Sequence, residues 1–266
     1  MKHLLVLVKG AGDLGTGVAY RLHRAGMQVV VTELSQPTVI RRAVSLAEAV
    51  YEGQAVVEGL RARLVQDARE ARRALAAGVV PVLIDPQADI TTQLRPRVVV
   101  DARMAKRNLG TRLGEADQVI GLGPGFVAGR DVHAVIETAR GHHLGRVLLV
   151  GEAAPNTGVP GTVGGQSARR VLYAPADGAF HALKRIGDPV AEGDVVAQVD
   201  DRPVQALLSG VLRGILHDGL AAHRGMKVGD IDPRGVRDYC FTISDKALAI
   251  GGGVLEAILC LLSAGD

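Results

Sequence analysis

The chain has 266 residues, 47% of them apolar and 22% charged, with a net charge of +3 at pH 7. Trp is absent and 3% of residues are aromatic, so the chain offers neither the stacking platforms nor the basic stripe of a nucleic-acid binder. Two cysteines, Cys240 and Cys260, are too few for a disulfide framework and lack metal-ligand spacing, which fits two reduced core thiols in a cytoplasmic protein.

The run His3–Val8 reads as a strand, and Lys9 ends it too early for a signal peptide. The loop KGAGDLGTG follows, and then Leu14, Val18, Ala19 and Leu22 recur at helical spacing until Gly26. A second apolar run, Val29–Thr32, ends in Glu33. Strand, Gly10-x-Gly12-x-x-Gly15, helix, strand and acid is the order of a dinucleotide-binding unit. In that unit Gly10 permits the turn, Gly12 admits a pyrophosphate, Gly15 lets helix approach strand, and Glu33 accepts a ribose hydroxyl. The alternative is that a tight strand-to-helix turn collects glycines for packing alone. Asp13 fits the phosphate reading poorly, because a carboxylate there repels an anion unless it holds a cation or caps the helix.

Thr38–Val50 and Arg69–Ala77 read as helices, and Arg61–Arg73 as a solvated helix face. Arg41 and Arg42 are candidates for an additional phosphate, in conflict with Glu33. Apolar runs recur at Val79–Ile84, Val98–Val100, Val119–Leu122 and Val147–Val150, interleaved with helical patterns, which predicts a largely parallel sheet. The polar residues Asp85, Asp101, Arg103 and Lys106 and the glycines Gly121, Gly123 and Gly125 each follow an apolar run. In an open parallel sheet those places line the ligand crevice. Arg103 and Lys106 are candidates to clamp an anion, and the alternating glycines to form a backbone nest. His133, His142 and His143 have no metal-ligand spacing.

Residues 151–170 are rich in Gly, Pro, Ser, Thr and Asn and read as a linker or functional loop. Beyond them the chain repeats itself at an offset of 32 residues, placing Gly178 on Gly210, Gly187 on Gly219, Gly193 on Gly225 and Asp200 on Asp232. The phrase APADGAF…IGDPVAEGDVVAQV resembles the biotinyl/lipoyl barrel-sandwich family over residues 171–233. The segment joining its halves, VDDRPV at 199–204, has no lysine to carry a prosthetic group, so the resemblance implies a cap or docking module. KVGDIDPRG at 227–235 reads as a turn held by an Asp–Arg pair, in preference to an edge of the site. Ser244–Ser263 has helical periodicity; Gly251–Gly253 predict close packing, a ligand approach or a turn into the helix, and with Glu256 argue against a membrane span.

Taken together, KGAGDLGTGVAYRLHRAG, TELSQPTVIRRAVSLAEAVYEG, VVDARMAKRN, VIGLGPGFVAG, IETARGHHLGRV, KVGDIDPR and ISDKALAIGGGVLEA resemble the selenium-dependent molybdenum hydroxylase system proteins, a YqeB-like family, over nearly the whole chain. The resemblance implies an accessory role in maturing molybdenum-containing hydroxylases, with such a hydroxylase as partner. It implies as ligand a molybdopterin-type cofactor or a nucleotide. The expected fold is α/β: a Rossmann-like parallel-sheet domain over residues 1–165, a small all-β barrel-sandwich (biotinyl/lipoyl-like) module over 166–238, and a C-terminal helix over 239–266 that packs back on the first domain. The expected ligand residues are Gly10, Gly12, Asp13, Gly15, Glu33, Arg41, Arg42, Asp101, Arg103, Lys106, Gly121, Gly123 and Gly125, with no catalytic residue or metal ligand assigned. The competing expectation is an NAD(P)-dependent oxidoreductase, weakened by the lack of an identifiable proton donor. No nucleic-acid or membrane partner is expected, and a homo-oligomer fits.

Overall fold

The computed structural model describes residues 4–158 and 161–263. The chain forms two compact units: Met1–Pro37, Leu46–Asn156 and Ile243–Asp266 make one, Thr38–Ser45 and Thr157–Thr242 the other. In the first unit the strands are β1 (Leu5–Lys9), β2 (Gln28–Glu33), β3 (Gln54–Val57), β4 (Leu60–Leu64), β5 (Val80–Ile84), β6 (Val98–Asp101), β7 (Gln118–Leu122), β8 (Val127–Ala128), β9 (Ala134–Ile136), β10 (Val147–Leu148) and β11 (Gly151–Glu152). Its helices are α1 (Asp13–Arg24), the single turn α2 (Ala49–Glu52), α3 (Ala68–Ala76), the single turn α4 (Thr91–Leu94) and α5 (Asp245–Ser263). The second unit holds β12 (Val171–Tyr173), β13 (Gly178–Ala182), β14 (Pro189–Val190), β15 (Val195–Val199), β16 (Arg202–Gln205), β17 (Gly210–Ile215), β18 (Ala221–Ala222) and β19 (Lys227–Asp232).

Nine strands of the first unit form one sheet in the order β10-β9-β7-β6-β1-β2-β5-β4-β3. Its centre is parallel and buried on both faces, which is why β1, β2, β6 and β7 read as unbroken apolar runs. Both edges are antiparallel: β3 pairs with β4 and β10 with β9. The β3–β4 hairpin turns on Glu58 and Gly59, both with positive φ, the backbone a two-residue hairpin requires. It takes the place expected of a solvated helix face at Arg61–Arg73, of which α3 claims the end. Asp67 caps α3 by accepting from the Glu70 N–H at 2.8 Å.

The second unit has two four-stranded sheets, β12-β19-β17-β14 and β16-β15-β13-β18. The repeat is visible strand by strand, since β17, β18 and β19 begin 32 residues after β13, β14 and β15. The single helix expected over Thr38–Val50 does not form; the stretch holds the 3-10 turns Arg42–Val44 and Leu46–Glu48 and the start of α2. Thr38–Ser45 instead runs with the second unit, the Ile40 carbonyl accepting from the Ile215 N–H at 2.8 Å. The fold class is therefore corrected. The chain has a large mixed sheet and a C-terminal helix, and is not a Rossmann-like parallel domain followed by a biotinyl/lipoyl-like barrel. Of the stretch read as linker, residues 159 and 160 lie outside the described residues, as does His3 of the first expected strand.

Helix α5 is long and apolar enough, by length and composition, to cross a membrane. In the first unit it crosses α1 through glycines. A Cβ on Gly17 would lie 2.7 Å from the Ala247 carbonyl oxygen, one on Gly251 2.6 Å from the Gly17 carbonyl oxygen, and one on Gly253 inside contact with the Gly145 carbonyl. Gly252 meets nothing within 4 Å. Cys240 is buried as expected, whereas Cys260 is exposed; both are free. The three glycines therefore separate by position. Gly251→Ala is expected to destabilise by about 1–3 kcal/mol, because a backbone oxygen cannot yield. Gly252→Ala should stabilise by up to about 1 kcal/mol. Urea denaturation of the two variants checks this, and equal effects would refute the packing.

Candidate functional site

The carboxyl ends of β1, β2, β6, β7 and β9 gather the polar residues of the first unit. Lys9 ends β1 and pairs in register with Asp101, which ends β6. Both are buried, and neither is left bare. Lys9 Nζ lies 2.5 Å from Glu115 Oε2 and donates to Thr111 Oγ1 at 3.0 Å. Asp101 Oδ2 accepts from Thr111 Oγ1 at 2.8 Å and from Arg103 Nη2 at 2.5 Å. Two cations and two anions thus balance, three of them bonded to the Thr111 hydroxyl and Glu115 to Lys9.

This knot lays the 102–107 segment across the glycines. A Cβ on Gly10 would sit 3.1 Å from the Ala102 carbonyl and from Arg103 Cα, and one on Gly125 2.7 Å from Arg107 Cα. Gly10 has φ +98°, and Met104 and Lys106 of the covering segment also have positive φ. The remaining glycines are explained by packing as well. Gly15 approaches the Gly10 carbonyl, Gly121 the Phe126 ring and Gly123 the Thr138 hydroxyl. At each of these glycines the near neighbour is the chain's own backbone or side chain.

Glu33 is spent similarly. Its Oε2 accepts from the Ala11 N–H at 2.7 Å and its Oε1 from the Leu34 N–H at 2.8 Å, which ties β2 to the first loop instead of presenting a carboxylate to a ribose. Asp85 caps the next loop by accepting from the N–H groups of Asp89 and Ile90. Arg41 and Arg42 belong to the second unit. There Arg41 donates to the Tyr239 and Thr242 carbonyls and Arg42 to the Ile215 carbonyl. Lys106 is exposed. His133 Nδ1 accepts from the Val119 N–H at 2.9 Å, a structural use.

What stays open is the start of α1. Gly12 is its N-cap and supplies no side-chain hydrogen bond, and Gly12, Asp13 and Leu14 are half-buried. The first N–H groups of a helix carry partial positive charge. Beside this end lies the first turn of α5, with Lys246. Lys246 is half-buried and, among the described residues, makes no hydrogen bond or ion pair. Burial lowers its pKa below the usual 10.5; Arg140 lowers it further, while Asp13, Glu137 and Asp245 act in the opposite sense. Arg140 is paired with Asp245 at 2.9 Å, and buried Glu137 accepts from the Ala139 and Ala154 N–H groups. Lys246 was not among the residues expected from sequence. The signal available was a lysine in the first turn of a helix, against the dipole.

No family model matches the chain. It is 50% identical over 263 residues to a protein of Escherichia coli (strain K12) named "Uncharacterized protein YqeB". The chain is similar to YqeB along almost its whole length. The match takes in 99% of the chain but 49% of YqeB, so the chain spans about half the length of the curated relative it matches. Among solved structures it is similar to the ectoine utilization protein EutE (DoeB) of Ruegeria pomeroyi, with 15% identity, 86% of each chain covered and a TM-score of 0.27. An aspartoacylase family protein of Mesorhizobium loti is 12% identical over 86% of this chain and 85% of its own, with a TM-score of 0.27. A succinylglutamate desuccinylase of Silicibacter sp. TM1040 is 17% identical over 86% and 84%, with a TM-score of 0.24. At these scores the likeness is slight, and no role is taken from it.

Two functional expectations are corrected here. Molybdenum hydroxylase maturation finds no counterpart in these structures' names, and neither does an NAD(P)-dependent oxidoreductase. Glu33, the expected ribose acceptor, is tied to the Ala11 and Leu34 N–H groups.

Lys246 gives a pH test. A lysine whose folded pKa is lowered binds fewer protons folded than unfolded between that value and 10.5, so stability rises with pH across that window. Urea midpoints of the parent protein relative to Lys246→Met are expected to improve as pH climbs towards 10.5, and a flat or falling difference would refute the buried ammonium.

Proposed function

We propose that this chain binds a small carboxylate-bearing molecule at the N-terminal end of α1, with Lys246 as its counter-charge. The observation that carries this reading is the pairing of an uncapped helix start with a half-buried ammonium that has no partner among the described residues. Gly12 and Asp13 would line the place, with Arg103 and Lys106 at the covering segment. The remaining expected glycines serve packing.

Charge decides the ligand class. The helix start contributes roughly half a positive charge and Lys246 one more, against the nearby Asp13 carboxylate. A monoanion meets this balance, whereas a phosphate dianion would face Asp13 with too little positive charge to repay its desolvation. Two free cysteines fit a reducing, cytoplasmic setting. What the longer YqeB protein does as a whole is a separate question, because the chain spans half of it.

Calorimetric titration with acetate, succinate, phosphate, ADP and NAD tests the reading. A carboxylate is expected to bind the parent protein and to lose about tenfold or more in affinity to Lys246→Met, the value of one charge-assisted contact. Binding of ADP or NAD in preference to carboxylates, or indifference to Lys246→Met, would overturn it.

A further inference from the structure

The second unit buries positive charge that its acids do not answer. Asp230 and Asp232 alternate with Ile231 on β19, so both carboxylates stand on one face of the β12-β19-β17-β14 sheet. Arg170, from the turn before β12, forms a buried ion pair with Asp230. Arg234 grips Asp232 with Nε at 2.9 Å and Nη2 at 2.6 Å, and its own N–H reaches the same carboxylate at 3.1 Å. Both acids are therefore engaged before Arg213 is considered.

Arg213, on β17, is 6% exposed. Among the described residues its contact with an acid is Nη1 to Asp232 Oδ2 at 3.5 Å, longer than an ordinary hydrogen bond. Its Nε is buried without a partner among the described residues. A guanidinium does not lose its proton, and its five donors form a rigid fork that matches an oxyanion. Further cations collect here: Lys227, Arg170, Arg213 and Arg41 all act on Asp230, although burial still pushes that carboxyl upward.

We propose that a small oxyanion, a carboxylate or an inorganic phosphate or sulfate, binds against the Arg213 guanidinium on the polar face of this sheet. The ligand supplies the close acceptor that Arg213 lacks, since Asp232 is drawn to Arg234 and stands 3.5 Å away, and the surrounding arginines favour its negative charge. This site is independent of the one at α1, which lies in the other unit and uses Lys246.

The test is thermal unfolding and calorimetric titration with sodium acetate, phosphate, sulfate and chloride at fixed ionic strength, for the parent protein, Arg213→Met, Arg213→Lys and Lys246→Met. At least one oxyanion is expected to raise the parent melting temperature by about 3 °C or more with saturable heat, because a ligand of the folded state must stabilise it. For phosphate or sulfate, which the α1 site disfavours, Arg213→Met should lose that shift, Arg213→Lys should keep a weakened one, and Lys246→Met should keep it whole; for acetate, which both sites accept, Arg213→Met and Lys246→Met should each lose part of it. Which oxyanion acts separates a carboxylate from a phosphate or sulfate ligand. An equal rise in all four proteins would be general salt exclusion, and no rise in the parent would mean that water alone meets Arg213. Either result overturns the proposal. If Arg213→Met fails to fold, Arg213→Lys decides: an undiminished response there also overturns it.

Discussion

The first unit depends on how two buried charges at the ends of neighbouring strands are answered. Lys9 and Asp101 sit side by side where β1 and β6 end, in a place too dry for lone ions. Each takes its partner from elsewhere. Glu115 and Arg103 arrive from the crossing after β6, and Thr111 links both sides by donating to Asp101 while accepting from Lys9. A crossing that brings one acid, one base and a hydroxyl to this spot has little freedom left. It is drawn down onto Gly10 and Gly125, which face Ala102, Arg103 and Arg107 at close range.

Much of this was legible in the sequence, and the failures have physical causes. The apolar runs located the central strands, because a strand buried on both faces has no room for alternation. Glu33 was placed correctly at the end of β2, but its carboxylate serves two N–H groups of the chain itself, a choice that residue spacing cannot reveal. Gly15 was read as the place where helix approaches strand, Gly10 as a turn and Gly121, Gly123 and Gly125 as a backbone nest, and each has a close neighbour from the chain itself. Thr38–Val50 has a helix-like pattern but donates and accepts elsewhere, Ile40 with Ile215 and Leu46 with the Thr16 hydroxyl. Tertiary bonds overrode local preference there. The β3–β4 hairpin was missed because its arginines suggested a solvated helix. Lys246 was missed because a single lysine in an apolar helix has no pattern of its own.

The two units handle buried charge in opposite ways. The first balances its set and uses it to fix a crossing. The second gathers arginines around Asp230 and Asp232, and its carboxylates are engaged before Arg213 reaches them. A balanced buried set needs nothing from outside. An unbalanced one keeps a standing demand for an acceptor, and the same logic marks Lys246 beside the uncapped start of α1.

The most direct test of the central claim, that the ionic knot holds the 102–111 segment over the glycine loop, is amide hydrogen exchange along that segment. The Ala102 N–H donates to the Lys9 carbonyl, the Arg103 N–H to Asp101, and the Thr111 N–H to Asn108. These amides should be protected in the parent protein and lose protection together in Asp101→Asn, while β2 and β5 keep theirs. Exchange at the rate of an unstructured loop in the parent protein would contradict the account.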